Sequence, residues 1–304
     1  MNSMDIPPIT VVVSTRNRGD SIVKTVETIL SSDYPQFELT IIDQSEDEST
    51  GASLLPFTKN PHLHYLRTLS EGVSTGRNFG INSTQNELIA VTDDDCEIPG
   101  GWLKELAAAF SIDPRIGVVF GNALPGPHDQ SAGFIPSYVR KDPFLARSIY
   151  EKHRVEGISA CMGLRRSVWQ RLGGFDERLG AGTSFKSAEE VDFTIRTLLA
   201  GYFVYETPNV AIIHHGFRTW KESLTLIPGY WYGTGAMFAK HIKCGHLPVV
   251  LLLMYLGMRW LPGGSLVTAS LGKNTQRWLR LTSFIKGFGA GFFTSTDKKK
   301  CQFR

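Results

Sequence analysis

The chain has 304 residues, 42% hydrophobic and 20% charged, which excludes a largely disordered polymer and allows one large domain, or a domain with an appendage. The net charge of +3 conceals an asymmetry: from Lys240 onward eleven Lys/Arg face the single acid Asp297, a net +10, and the remainder carries −7. Cys96, Cys161, Cys244 and Cys301 form no C-x-x-C pair, so spacing supports neither a zinc nor a redox motif, and Met1 to Pro8 holds no apolar run for a signal peptide. A reducing cytoplasmic setting with free thiols is expected.

In chain order, Ile9 to Ser14 (ITVVVS) is a β-branched run typical of a buried strand. The polar loop Thr15-Arg16-Asn17-Arg18-Gly19 follows, then a helix with Asp20 as N-cap and Ile22, Val23, Val26, Ile29 and Leu30 on one face. Leu39 to Ile42 is a second strand ending at Asp43, and His64 to Leu66 a weaker third. A short helix is expected over Gly76 to Asn82. The strand Leu88 to Thr92 ends directly on Asp93-Asp94-Asp95. Pro99 opens a helix containing Trp102, Leu103, Leu106 and Phe110, and Ile116 to Phe120 is one more strand. Such alternation predicts an α/β fold, a mainly parallel sheet flanked by helices, with ligands beyond the carboxyl ends of the strands.

Four prolines make Pro125 to Glu156 read as a long loop over the site, with order returning from Gly157 to Arg165. Ser187 to Ala200 is a helix stopped by Gly201, with Val191, Ile195, Leu198 and Leu199 as its apolar face. Short strands at Phe203–Tyr205 and Val210–Ile213 flank Pro208. Leu247 to Leu261 is strongly apolar and closes at Pro262-Gly263-Gly264, and Gly287 to Phe293 is a second apolar patch. The first run is shorter than the roughly 20 residues of a spanning helix. Two readings remain: a re-entrant or surface-lying helix pair held to an anionic membrane by basic residues, or a core helix pair packed on the main domain. Nucleic acid is not expected, because the basic residues alternate with aliphatic runs rather than stacking aromatics.

Three adjacent carboxylates at a strand end repel one another, and a cation relieves this. Asp93 and Asp95, two apart, can turn toward one site, and hard oxygen ligands suit Mg²⁺ or Mn²⁺. Such an ion neutralises charge on a departing diphosphate. A solvated acidic turn is the plainer reading.

Seven segments in order, VVVSTRNR, IIDQSEDES, EGVSTGRNFGIN, LIAVTDDDCEIPGGWL, GLRRSVWQRLGGFDERLGAG, SAEEVDFTIRTLLAGY and PNVAIIHHGF, make residues 9–217 resemble the family 2 glycosyltransferases, with their GT-A type, Rossmann-like nucleotide-diphospho-sugar transferase fold. The resemblance implies a catalytic domain over residues 5–220, followed by a basic, apolar helical region over 221–304. It implies inverting transfer from a nucleotide-diphosphate sugar, with a divalent metal, to a glycan or lipid-linked acceptor. It places Thr15, Arg16, Asn17, Arg18 and Asp43 around the nucleotide. Asp43 also reads as an exposed acceptor for a base N–H, or as a turn-forming residue. Arg77 matches an arginine facing the donor beside Asp93 and Asp94; an ion pair with the triplet is the alternative. Glu189-Glu190 stands where the family usually has Glu-Asp, so Glu190 matches the general base, with Glu189 as second choice. Ser187 and Glu190 also form a capping-box pattern. Asp192 is expected to orient a neighbour or the acceptor. His214, rather than His215, matches a metal ligand beside Asp93 and Asp95. Of Trp102, Trp169, Trp220 and Trp231, Trp102 is the best candidate for stacking on a sugar. A peripheral position on the cytoplasmic membrane follows from the tail.

Two other readings stay open. A sugar-phosphate nucleotidyltransferase wants a glycine-rich loop with a lysine in the first strand–helix turn, and Thr15 to Gly19 has neither. A non-catalytic carbohydrate- or membrane-binding relative is kept open by the unusual Glu190.

Overall fold

A computed structural model describes residues 6–260 and 273–304. Pro262-Gly263-Gly264 lies outside these residues. The first half follows the expected alternation: β1 (Ile9–Thr15), α1 (Val23–Leu30), β2 (Phe37–Asp43), α2 (Ser49–Leu54), β3 (Leu63–Arg67), α3 (Val73–Asn82) and β4 (Leu88–Thr92). These four strands run parallel in the order β3-β2-β1-β4, with Thr15 beside Asp43 and Val13 beside Thr92. Their carboxyl ends therefore share one rim. Asp20 is not the cap of α1. It sits inside a 3-10 turn over Gly19–Ile22, where its carboxylate accepts a hydrogen bond from Ser53.

The second half contains β5 (Cys96–Glu97), α4 (Trp102–Ser111), β6 (Ile116–Pro125), β7 (Gly133–Phe134), β8 (Phe144–Ala146), β9 (Met162–Arg165), α5 (Arg166–Leu172), α6 (Glu189–Leu199) and β10 (Phe203–His214). Here the expectation of a mainly parallel sheet is corrected. β9 enters between β4 and β6, antiparallel to both, and β5 and β8 pair antiparallel with β10. The result is a mixed nine-stranded sheet, β3-β2-β1-β4-β9-β6-β10-β5 with β8 on β10. Parallel neighbours require a crossover, usually helical; the segment between β6 and β9 holds only short strands and 3-10 turns, and it returns the chain in the opposite sense. Residues 125–156 are accordingly less irregular than expected. The two strands predicted around Pro208 are one, because a bulge between Glu206 and Ala211 absorbs the missing N–H.

Alternation along the strands divides the core. Val11 and Val13 join one cluster with Val26, Trp102 and Phe110, while Val12 joins a second with Ile81, Phe193 and Phe238. Trp102 is 2% exposed, so it belongs to the core and presents no stacking face.

After β11 (Arg218–Thr219) comes α7 (Trp220–Lys243), which begins with a complete capping box: Thr219 Oγ1 accepts from the Glu222 N–H and the Glu222 carboxylate accepts from the Thr219 N–H. The chain closes with α8 (Leu247–Trp260), α9 (Lys273–Phe293), β12 (Thr296–Asp297) and β13 (Gln302–Phe303). Ala236, Met237 and Phe238 of α7, with Phe303, are buried in the second cluster. α9 packs on α7 so closely that a Cβ at Gly287 would overlap the Tyr232 carbonyl, and one at Gly291 the backbone of Ala236. The glycine-rich patch is thus a helix contact. Among the described residues no helix is long and apolar enough to cross a membrane.

Candidate active site

The rim of β1 and β4 and the end of β10 meet at Asp93-Asp94-Asp95. The route is β5, which follows the triplet and pairs His214 with Cys96. The three carboxylates have different partners. Asp93 Oδ1 accepts from Arg77 Nη2 at 2.9 Å and stays one-third exposed. Asp94 is buried and lies 3.0 Å from Arg18 Nε; burial pushes its pKa up to about 6 against the pull of Arg18. Asp95 Oδ2 is 3.2 Å from Arg18 Nη2, and its Oδ1 is 3.1 Å from His214 Nε2.

His214 Nδ1 lies 2.7 Å from the Pro136 carbonyl, which can only accept, so Nδ1 carries the proton. A neutral His214 then turns its Nε2 lone pair toward Asp95 Oδ1, a buried oxygen with no well-aligned donor. Two acceptors at that distance need a proton or a cation between them. The protein supplies half of an answer: burial opposes charging of the ring, but Asp95 outweighs it and raises the His214 pKa. A cation is the other. An imidazole fixed through its far nitrogen by a carbonyl, next to a carboxylate, is a recognised ligand arrangement. Space is kept beside it, since a Cβ at Gly216 would stand 2.9 Å from Asp95 Oδ2 and 2.7 Å from His214 Nε2. Asp95 and His214 therefore fit a divalent ion. Cys96 lies in the same cluster, but burial pushes its thiol pKa well up and keeps it protonated.

Arg77 is the hub. It is 2% exposed and donates to Asp93, to Glu189 Oε1 at 3.1 Å and to Ser159 Oγ at 3.0 Å, so it ties the triplet to the first turn of α6. Glu189 is buried in this pair. Glu190 is part-exposed, while the protein packed around its carboxyl, and then the charge of Glu189, push its pKa up to about 8. The capping box expected here does not form. Ala188, at φ +74, is the N-cap, and Ser187 Oγ donates instead to the Gly229 and Tyr230 carbonyls, which frees Glu190 from a capping role.

Other expected residues sit differently. Asp43 is fully buried rather than exposed: Oδ1 closes a turn with the Ser45 N–H at 2.8 Å and Oδ2 accepts from Tyr65 at 2.5 Å. Arg16 pairs with Glu46 and Glu71, not with the triplet, and Asn17, at φ +54, bonds Ser45 and Glu46. Thr15 is buried beside Asp94. Asp192 is fully buried in an ion cluster with Arg196, Lys240 and His241 and faces no acceptor. His215 turns to Glu97 at 3.5 Å. Of the other tryptophans, Trp169 bonds Asn78 and Trp220 stacks on Phe134. Sequence reasoning missed Ser159 and also the buried Lys152, which donates to the Val155 carbonyl within the field of Glu190. No local pattern marks either.

A mixed sheet of this order with an acidic cluster at its rim defines a GT-A type fold. It is shared with a mannosyltransferase from Pyrobaculum calidifontis solved in complex with GDP-Man and Mn²⁺ (TM-score 0.60, 17% identity, 94% of this chain and 87% of that one). Staphylococcus aureus TarS in complex with UDP-GlcNAc is similar (TM-score 0.59, 17% identity, 92% and 81%). The chain belongs to glycosyl transferase family 2, whose sequence model matches residues 10–173. Among curated relatives, the O-antigen biosynthesis protein RfbC of Myxococcus xanthus is 25% identical over 76% of this chain. The N-acetylglucosaminyl-diphospho-decaprenol L-rhamnosyltransferase of Mycobacterium tuberculosis is 25% identical over 71%. The chain spans 19% of the first relative's length and 80% of the second's.

Proposed function

We propose that this protein is an inverting glycosyltransferase that moves a sugar from a nucleotide-diphosphate donor onto a hydroxyl of a glycan or lipid-linked acceptor. The observation that carries the reading is the hub at Arg77, which sets the acidic strand end and the Glu189-Glu190 turn on either side of one rim. Asp95 and His214 would hold a Mg²⁺ or Mn²⁺ ion, which when bound supplies positive charge for the leaving diphosphate. Arg18, between Asp94 and Asp95, keeps a partly exposed guanidinium for phosphate oxygens. Glu190 takes the proton of the acceptor hydroxyl as its oxygen bonds to the anomeric carbon and the bond to the diphosphate breaks. A carboxylate with a pKa near working pH suits this task, and Glu189, locked to Arg77, leaves it to Glu190.

The acceptor class rests on two further supports. The named relatives include a transferase acting on a decaprenol-linked sugar. On this chain, Leu251, Met254 and Met258 of α8 and Trp278, Ile285 and Phe293 of α9 are exposed, in the segment that holds the basic excess. That combination fits peripheral attachment to an anionic cytoplasmic membrane surface. The deciding experiment is a screen of nucleotide sugars with and without Mg²⁺ or Mn²⁺, scoring release of nucleoside diphosphate in the presence of lipid-linked saccharides. No metal-dependent release from any donor would defeat the proposal.

A further inference from the structure

Among the described residues, one cluster outside the rim is built from metal-ligating side chains. His241 on the last turn of α7 and His246 just beyond it bring their Nδ1 atoms within 2.8 Å, and Cys301 Sγ lies 3.7 and 3.8 Å from the two. Cys244, the C-cap of α7, lies between the two histidines in the chain. We propose that His241, Cys244, His246 and Cys301 bind a structural Zn²⁺ ion that staples the end of α7 to the C-terminal hairpin.

Four observations support this. First, the spacing: with Zn–N of about 2.0–2.1 Å and Zn–S of about 2.3 Å, tetrahedral ligand atoms stand about 3.3–3.8 Å apart. Cys301 Sγ, at 3.7 and 3.8 Å from the two histidines, is close to this, and the two Nδ1 atoms, at 2.8 Å, need part only by about half an ångström. Second, the tautomer: His241 Nε2 lies 2.9 Å from Asp192 Oδ1, and Asp192 is ionised by its pairing with Lys240 and Arg196. Nε2 therefore carries the proton and Nδ1 offers its lone pair to the cluster, the carboxylate–histidine arrangement that orients metal ligands. Third, the charge: Asp176 and Asp192 are matched by Lys240 and Arg196, so the surroundings are neutral, and zinc with two thiolates adds no net charge. The two thiols release two protons on binding. Fourth, the presentation of Cys301. It is held at φ +50, an uncommon backbone state for a side-chain-bearing residue. The turn is fixed by Asp297, which accepts from the Lys299 and Lys300 N–H groups, and by Phe303, which donates its N–H to Asp176. A pocket of about 230 Å³, lined also by Arg171, Arg196, Lys299 and Lys300, reaches His246 and Cys301.

Through Asp192 the staple bears on α6, whose first turn carries Glu189 and Glu190. The test uses the full chain. Zinc is measured per chain after purification without chelator, and Co²⁺ replaces it for spectroscopy. About one zinc per chain is expected, with a thiolate-to-cobalt charge-transfer band and the visible bands of tetrahedral Co²⁺. An Asp95→Ala/His214→Ala variant should keep both, which separates this ion from any at the rim. Cys301→Ser and His246→Asn should each lose the thiolate band and most of the zinc. Zinc-free wild type with no cobalt–thiolate band would overturn the proposal. So would zinc that follows Asp95 and His214 instead, or a Cys244–Cys301 disulfide in unreduced protein.

Discussion

α6 contributes to two charged clusters of opposite character. At its first turn Glu189 and Glu190 join Asp93, Asp94 and Asp95, five carboxylates against Arg18 and Arg77. Further along, Asp192 and Arg196 join Asp176 and Lys240, two acids against two bases, all fully or nearly fully buried. The inner cluster is balanced, and burial is tolerable because every charge is met. The rim is left short of positive charge and open on one side. Balanced buried charge builds scaffold; an uncompensated acidic rim is what a cation and an anionic donor complete.

The largest expected effect breaks the rim's side of this contrast. Glu190→Gln should slow sugar transfer by about 10²- to 10⁴-fold with the fold intact, measured as turnover beside a circular dichroism spectrum. An unchanged rate would remove Glu190 as the base. Lys240→Met attacks the other side: leaving Asp176 and Asp192 buried without their shared partner should cost about 3–5 kcal/mol in a urea denaturation.

Acid and base should also separate the clusters. Glu190 has its pKa raised by burial and then by Glu189, so its contribution to stability is complete below the ordinary glutamate range and is lost as pH rises toward about 8. Its rate contribution runs the other way, rising through the same interval as the base deprotonates. Glu190→Gln should therefore melt higher than wild type at pH 8, with the difference vanishing near pH 4. Asp192 is opposite: burial would raise its pKa, but Lys240 and Arg196 outweigh burial and lower it. Its stabilisation is complete above the ordinary aspartate range and is lost only as pH falls through the depressed value. Asp192→Asn should melt lower than wild type at neutral pH, and the gap should close only in strong acid. Melting curves of the two variants across pH test both signs.

The smallest effect is expected away from both clusters. Exposed Lys286 on α9 should add about 1 kcal/mol to attachment on anionic vesicles, lost in Lys286→Ala and suppressed by salt. Vesicle co-sedimentation that ignores both salt and this substitution would argue against an electrostatic membrane contact.

Much of the first half was legible because its signals are local. Runs of four to six residues rich in β-branched side chains and ending on polar groups marked β1, β2 and β4, and the parallel-sheet rule placed their ends on one rim. The same rule misjudged Asp43, because a strand end says nothing about what covers it; Tyr65 on the neighbouring strand does. The capping pattern was sought at Ser187, but the helix begins later there, while the working box, Thr219 to Glu222, went unread.

By itself the sequence determined the family, the strand-end triplet and the alternation that builds half the sheet, since all three are written in neighbouring residues. Tertiary structure decided the antiparallel entry of β9, the pairing of Arg77 with Glu189 across 112 positions, and the meeting of His241 with Cys301 across 60. Periodicity reports which face of an element is buried. It does not report which distant side chain meets it there, and the chemistry of both clusters depends on those meetings.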